Sequence, residues 1–453
     1  MKPKKKLRRS QNSILMILFI LSVSFLTTSC KKKDVVVTGT EPFFNAENIF
    51  PFQNKHVHSS TIVELPNGDL LTGWFQGSGE RWADDVQIMG ARKKSGNKEW
   101  SQPFILADVK EFPDCNPILF LDGKNRLWLM WYTVIAGQWE TSLLKYRTSE
   151  DYLDMSGAPN WKWQEDLHIK PGDKAERGIL PGDSFVESVK RQLDEYGEYI
   201  KSSLDQDISA DRWNRRIEST LSKARGEDMI RRGMIYLENG QIKDTLLGYP
   251  YFRRMGWQTR NKPIITKSGR MIVPLYSDGF GCICLMAFTD DWGETWGFSD
   301  PLVGDGNEQP TIAQTKSGEL VTYMRDGGSP PNRLQVSRSK DNGKTWSLVQ
   351  DSEIPNPGSA ADIVTLKNGN WVLVYNDTES GRHKLAVTLS EDEGKTWPWH
   401  KSIVSEEQPT QAHYPAIIVG TNGILHVSYS YFLPDNQKTI KYAVFNEEWI
   451  KSK

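Results

Sequence analysis

The chain has 453 residues, with 56 Lys and Arg against 57 Asp and Glu, for a formal net charge of −1. That balance points away from nucleic acid and from strongly acidic surfaces as partners. Four cysteines are present, and no His or second Cys pair stands at zinc spacing, so no metal or other cofactor is expected.

The N-terminus reads as a targeting segment. Lys2, Lys4, Lys5, Lys6, Arg8 and Arg9 precede an apolar run from Ile14 to Leu26. The run is too short to span a bilayer comfortably and has signal-peptide flanks. Leu26-Thr-Thr-Ser-Cys30 resembles a bacterial lipobox, with the Leu one place further from the Cys than usual. The expectation is a lipoprotein signal peptide over 1–29, lipidation of Cys30, and a tether and closing segment over 30–50. The protein is then membrane-anchored in a bacterial cell envelope. Cys115, Cys282 and Cys284 remain, and the last two alternate in a strand-like segment where they are poorly placed to bridge each other. Buried free thiols are expected.

From residue 51 to 450 a repeat organises the chain. It is a short apolar strand, a turn carrying Gly, and another apolar strand. The turns end at Gly68, Gly123, Gly269, Gly318, Gly369 and Gly423, spaced 55, 146, 49, 51 and 54 residues apart. Six short-strand units at this period predict a radial all-β array. One interval carries an insert, assigned to 172–248. There Val186, Val189, Leu193, Tyr196, Ile200 and Leu204 follow three- and four-residue steps of an amphipathic helix, and Ser184 with Glu187 fits a capping box. A second helix is expected near Trp213, Ile217, Leu221 and Ala224. The pair either decorates one rim or reaches over the centre as a lid.

A second repeat lies in the C-terminal half: Thr289-Asp-Asp-Trp-Gly-Glu-Thr-Trp296, Ser339-Lys-Asp-Asn-Gly-Lys-Thr-Trp346 and Ser390-Glu-Asp-Glu-Gly-Lys-Thr-Trp397, with starts 50 and 51 residues apart. Each reads as a tight turn between strands. The third-position Asp accepts backbone N–H bonds, Gly supplies positive φ, and Trp packs between strands. Degenerate copies end at Trp100 and near Trp161, and most of the 17 Trp are packing residues. The sixth unit has no such turn, so residues 35–38 or their neighbours are expected to supply its outer strand and close the ring.

These turns resemble the Asp box of the sialidase-type β-propellers, and the chain resembles the BNR-repeat sialidase (neuraminidase) families over nearly all its length outside the insert, as a bacterial lipoprotein member. The implied fold is an all-β six-bladed β-propeller with four-stranded blades, Asp-box turns and a helical insertion between the second and third blades. In such a ring the residues just before each inner strand converge on the axis. They include His56 and His58; Asp114 and Asn116; Arg260, Asn261 and Lys262; Glu308 and Gln309; Ser359 and Asp362; and His413 and Tyr414. Convergent titratable groups in a concavity are a site hypothesis.

The resemblance implies a glycan substrate and assigns roles. Asp84 or Asp85, within Arg81-Trp-Ala-Asp-Asp-Val86, holds the place of the acid/base. Glu308 and Arg325 match the family's Glu and following Arg, and Tyr414 in His413-Tyr-Pro415 holds the place of the nucleophile. The chemistry agrees: a phenol with an unperturbed pKa near about 10 is a poor nucleophile at neutral pH unless a carboxylate takes its proton. Candidate substrate-binding residues are Arg325, Arg260, Lys262, His56, His58, Asn116, Gln309, Asp362 and His413. Two features depart from the family. Lys55-His-Val-His-Ser59 stands where the first clamping arginine belongs, and Asn356-Pro-Gly-Ser359 stands where the fifth blade's arginine belongs. The departures leave room for a polysaccharide lyase on uronate-containing glycans, in which His413 or His58 with Tyr414 moves the protons. A non-catalytic glycan-binding lipoprotein is a third reading.

Overall fold

The structure, a computed structural model, describes residues 41–173, 182–202, 209–225, 254–280 and 283–452. The signal segment, Cys30, residues 35–38, Leu204 and Cys282 lie outside the described residues. Among those described, Cys115 and Cys284 are buried free thiols.

Alternating apolar strands joined by glycine turns have one low-energy outcome here, a set of antiparallel meanders. There are six, over 56–107, 114–166, 258–298, 307–355, 362–405 and 411–445. Each has four strands, and the inner strand of the third is split into Gln258–Thr259 and Ile264–Ile265, both paired with Met271–Ser277. The meanders neighbour one another in a closed cycle through their inner strands, the third reaching the fourth through Met271–Ser277, so the protein is a six-bladed propeller. The sixth blade takes its outer strand from the N-terminal side. Phe44–Asn48 pairs antiparallel with Lys438–Phe445, Phe44 opposite Phe445 and Asn48 opposite Lys441. The closing strand thus falls inside the segment 30–50, a few positions past residues 35–38.

Burial of large side chains between blades supplies most of the stabilisation, roughly 2–3 kcal/mol for each fully buried apolar residue. Trp74, Trp128, Trp131, Trp257 and Trp371 are among the largest fully buried side chains. At one end of the ring the three Asp boxes close the third-to-fourth-strand turns. Asp341 accepts from the Thr345 amide at 2.9 Å, the Thr345 hydroxyl at 2.7 Å and the Ser339 hydroxyl at 2.9 Å. Asp392 repeats the first two contacts with Thr396. The Thr295 hydroxyl and amide on Asp291 pull that carboxyl down to about 2. The next two positions are left-handed in every box: Trp292, Asn342 and Glu393 at φ of 63°, 62° and 62°, then Gly293, Gly343 and Gly394.

Two helices lie in the chain between the second and third meanders, α1 (Ser184–Ser202) and α2 (Ala210–Ala224). α1 buries Val186, Val189, Leu193, Tyr196 and Ile200, and the Tyr196 ring packs on Trp213 of α2 with centroids 5.3 Å apart. The cap of α1 differs from the expected one. Asp183 Oδ1 accepts from the Phe185 amide at 3.0 Å, while the Ser184 hydroxyl donates to Asp173 at 2.7 Å. A carboxylate one residue earlier outcompetes the serine for the free first-turn amides. The Gln192 side chain donates to Pro301 O and accepts from Val303 N, tying α1 to the link between blades three and four.

Candidate active site

Four inner strands carry the same irregularity where they begin. Register shifts fall between His58 and Thr61, Cys115 and Ile118, Glu308 and Thr311, and His413 and Ala416. Inside these bulges Ser59, Asn116, Gln309 and Tyr414 adopt left-handed backbone, with φ of 56°, 48°, 49° and 54°. A bulge re-aims a side chain that would otherwise follow the pleat. Left-handed backbone is unfavourable for a bulky aromatic residue, by of order 1–3 kcal/mol, and such strain persists where surrounding structure enforces it. Pro117, Pro310 and Pro415 follow three of the four, so the next residue has no N–H to leave unpaired in the broken ladder. The bulges bring Asn116, Gln309 and Tyr414 into the lining of one cavity of about 230 Å³, together with His58, Arg325 and Arg382. It opens where inner strands begin and second strands finish, at the end of the ring opposite the Asp boxes.

Tyr414 is the best-held group in it. Its phenol oxygen accepts from Gln309 Nε2 at 2.9 Å and from Arg325 Nη1 at 3.1 Å. The same Nη1 lies 3.2 Å from Glu308 Oε2. Arg382 and Arg260 set their guanidinium carbons 5.4 and 5.0 Å from the Tyr414 ring centre, and the His58 ring packs 4.2 Å from it. Two donors aimed at one phenol oxygen are aimed where negative charge would develop.

Burial sorts the protonation states. Asp278, at the end of the second strand of blade three, lines the cavity and is hydrogen-bonded to Glu308. Burial and the Glu308 charge push its carboxyl up to about 8, so it holds its proton at neutral pH. Burial also pushes His58 and His413 well below the ordinary histidine value, reinforced for both by Arg382, so both rings are neutral. Burial works against the Arg325 charge, but Tyr414, Glu308 and Asp278 more than offset it.

The other residues singled out from the sequence lie elsewhere. Arg260 is buried beneath Tyr414 and donates to Pro415 O at 2.9 Å, so it props the bulge. Lys262 and Asp362 pair at 2.7 Å, with Thr311 Oγ1 and the Ile417 amide also on the carboxylate. That pair ties blades three, four, five and six together across the axis. Lys262 also borders a separate opening at the far end, lined by Ile363 and Val419. His56 reaches Glu80 at 3.1 Å, and His413 reaches Arg382 at 3.1 Å. Asp84 and Asp85 are exposed on the loop after the second strand of blade one, where Asp85 accepts from the Ser78 hydroxyl at 2.7 Å and neither lines the cavity.

Three acidic or basic lining groups escaped sequence reasoning, Glu80, Asp278 and Arg382, as did the aromatic wall of Phe75, Tyr132, Trp139 and Tyr276. Arg382 corrects the expectation that the fifth blade supplies no arginine. It comes from the loop after that blade's second strand, not from the segment before its inner strand, and Gly358 O anchors it at 2.6 Å. One signal was present: Asp278 and Arg382, like Arg325, stand at or just beyond the end of a second strand. No group of three or more His, Cys, Asp or Glu among the described residues is placed to hold a metal, and no described helix is long and apolar enough to cross a membrane.

The ring and its phenol-centred funnel define a sialidase-like propeller. The chain belongs to the BNR repeat-like domain family, which it matches over 68–178 and 255–427. It is 28% identical over 131 residues to a sialidase of Bacteroides fragilis (strain YCH46), a match spanning 26% of this chain and 23% of that protein's length. Among solved structures it resembles a protein of unknown function from Dyadobacter fermentans DSM 18053, with TM-score 0.61, 14% identity, and 89% and 99% of the two chains covered. It also resembles the intramolecular trans-sialidase of Ruminococcus gnavus in complex with oseltamivir carboxylate, with TM-score 0.56, 15% identity and coverage of 90% and 98%. At such identities these structures speak for the fold.

Proposed function

We propose that the protein is a sialidase-like exo-glycosidase that releases a terminal acidic sugar from glycans outside the cytoplasm. The observation that carries this reading is Tyr414, left-handed in a bulge, its oxygen held by Gln309 and Arg325 beside a second cavity arginine, Arg382. The two guanidinium groups suit a substrate carboxylate. Tyr414 Oη attacks the anomeric carbon as the bond to the leaving oxygen breaks, and its proton passes to Glu308, which shares Arg325 Nη1 with it. Water then displaces the tyrosine. A neutral phenol approaches an acidic sugar without the repulsion a carboxylate nucleophile would meet.

The leaving oxygen needs a proton. Asp278 carries one inside the cavity at neutral pH. Asp85, or Asp84 beside it, serves instead only if its loop turns inward on binding. Asp278→Asn and Asp85→Asn, compared on substrates with good and poor leaving groups, separate the two: the true donor's loss spares the good leaving group. Asn116 and His58 contact the bound sugar in this reading. α2 packs beside the Asp278–Phe280 turn, and α1 with α2 is proposed as a rim element next to the funnel. Lipidation of Cys30 and envelope anchoring belong to the same proposal. Labelling with a radioactive fatty acid should mark the full chain and fail for Cys30→Ala.

The tilted His58–Tyr414 ring contact favours one second reading, a uronate lyase in which neutral His58 takes the proton α to the carboxylate and Tyr414 protonates the leaving oxygen. Product analysis decides. The full chain is incubated with 3′-sialyllactose and with hyaluronan oligosaccharides, and mass and ultraviolet absorbance are read together. Intact acidic monosaccharide supports the glycosidase, an unsaturated uronate replaces it with the lyase, and binding without turnover leaves a glycan-binding protein.

A further inference from the structure

A groove of about 820 Å³ runs along the junction of blades two and three. Its wall on the blade-three side is an Asp-box turn, and its other wall is the outer strand of blade two, Trp163–Asp166. Asp boxes join third strands to fourth strands, and the funnel lies where inner strands begin. Because consecutive strands are antiparallel, the groove reaches the end of the ring remote from Tyr414. We propose that this groove is a second carbohydrate site that takes a neutral hexose chain.

Three observations carry the assignment. Trp163 is 55% exposed at the start of the outer strand, where its backbone is in register with Thr148, so a large aromatic face on regular backbone is open to solvent in the groove wall. Such a face meets the partly positive C–H bonds of a pyranose ring. Second, Trp292 stands at a box position where the sister turns carry Asn342 and Glu393 with the same left-handed backbone. The turn therefore needs no aromatic there, and a bulky one is unfavourable. Arg126 nonetheless holds the Trp292 carbonyl at 2.6 Å, and Lys124 sits 5.9 Å from its ring centre.

Third, the ionisable lining cancels: Arg126, Lys162 and Lys170 face Glu165, Asp166 and Glu294. Arg126, Lys162 and Asp166 are moreover spent on Asp122, Glu150 and Lys145. What remains is a mixture of donors and acceptors suited to hydroxyl groups, without the net positive charge an acidic glycan would require. A volume of this size accommodates several sugar rings.

The test is calorimetric titration of the full chain with cellohexaose, maltohexaose and N-acetylchitohexaose. At least one is expected to bind at one site per chain. Trp163→Ala should weaken it tenfold or more, and Trp292→Asn should weaken it without lowering the unfolding midpoint. Release of sugar from 3′-sialyllactose should stay within twofold in both variants. Saturable binding of none of the three, or binding unchanged in both variants, overturns the proposal. So does a fall in unfolding midpoint for Trp163→Ala with affinity intact, which would make the indole a packing residue, or a preference for a hyaluronan hexasaccharide over all three neutral probes. Because these probes lack a terminal acid, the outcome is independent of whether the funnel turns over sialosides.

Discussion

The two ends of the propeller use the same backbone device for opposite purposes. At the Asp-box end, left-handed pairs recur in three turns, and the aspartate just before each pair does one repeated job: Asp291, Asp341 and Asp392 each accept from the threonine four residues on. At the funnel end, left-handed residues recur in four bulges, but the side chains are Ser59, Asn116, Gln309 and Tyr414. Where the backbone repeats and the side chain repeats, the feature maintains the fold. Where the backbone repeats and the side chain varies, the fold is supplying mounting points and chemistry has chosen what to mount.

That contrast can be broken. Tyr414→Phe removes one oxygen at a mounting point, so turnover should fall about 10³-fold or more while the unfolding midpoint stays put. A large loss of stability instead would make Tyr414 a packing residue. Arg382→Ala should raise KM for an acidic substrate about tenfold with a smaller change in kcat, the loss of one charge-assisted contact. Steady-state kinetics on a sialoside checks both.

Asp278 sharpens the contrast through pH. Folding raises its carboxyl to about 8, so the folded state binds more protons than the unfolded one from about pH 4 to that value, and stability falls as pH rises through the window. His58 and His413, held neutral by burial, act the other way below 6.5. Asp326, pushed up to about 7 by burial, tilts stability the same way. The Asp278 share between pH 6.5 and 8, about 1 kcal/mol per pH unit, is therefore read as the slope that Asp278→Asn should remove in denaturant titrations. Asp341→Ala, at the other end, should lower stability by about 1 kcal/mol and leave turnover at 25 °C unchanged.

The ring was legible because its determinants are local and repeated. Each blade needs a glycine turn and alternating strands, so six copies of Gly68 and its counterparts announce six meanders, and Asp boxes locate the outer turns. Glu308 and Tyr414 were legible because they stand in inner strands that the repeat had already placed, and Arg325 because the family resemblance put it at the end of the strand that follows Glu308. Arg382 and Asp278 were not, because they sit beyond second strands in segments that follow no repeat; only tertiary structure brings them to Tyr414. Lys262 was misread for a related reason. It is adjacent to an inner strand, but a buried lysine needs a partner, and Asp362 a hundred residues away supplies it at 2.7 Å. Sequence proximity to the axis does not say which end of the axis a side chain will serve.

The strand Phe44–Asn48 has a consequence for the order of events during synthesis. Phe43 donates to Asn446 across 403 residues, so the segment that locks the ring leaves the ribosome long before its partner exists. At ordinary translation rates it waits roughly 20–80 s. Throughout that interval the five earlier blades have no closed circle to join, and a strand rich in unpaired amides is available to any passing edge. The last residues made decide whether the first ones were kept safe.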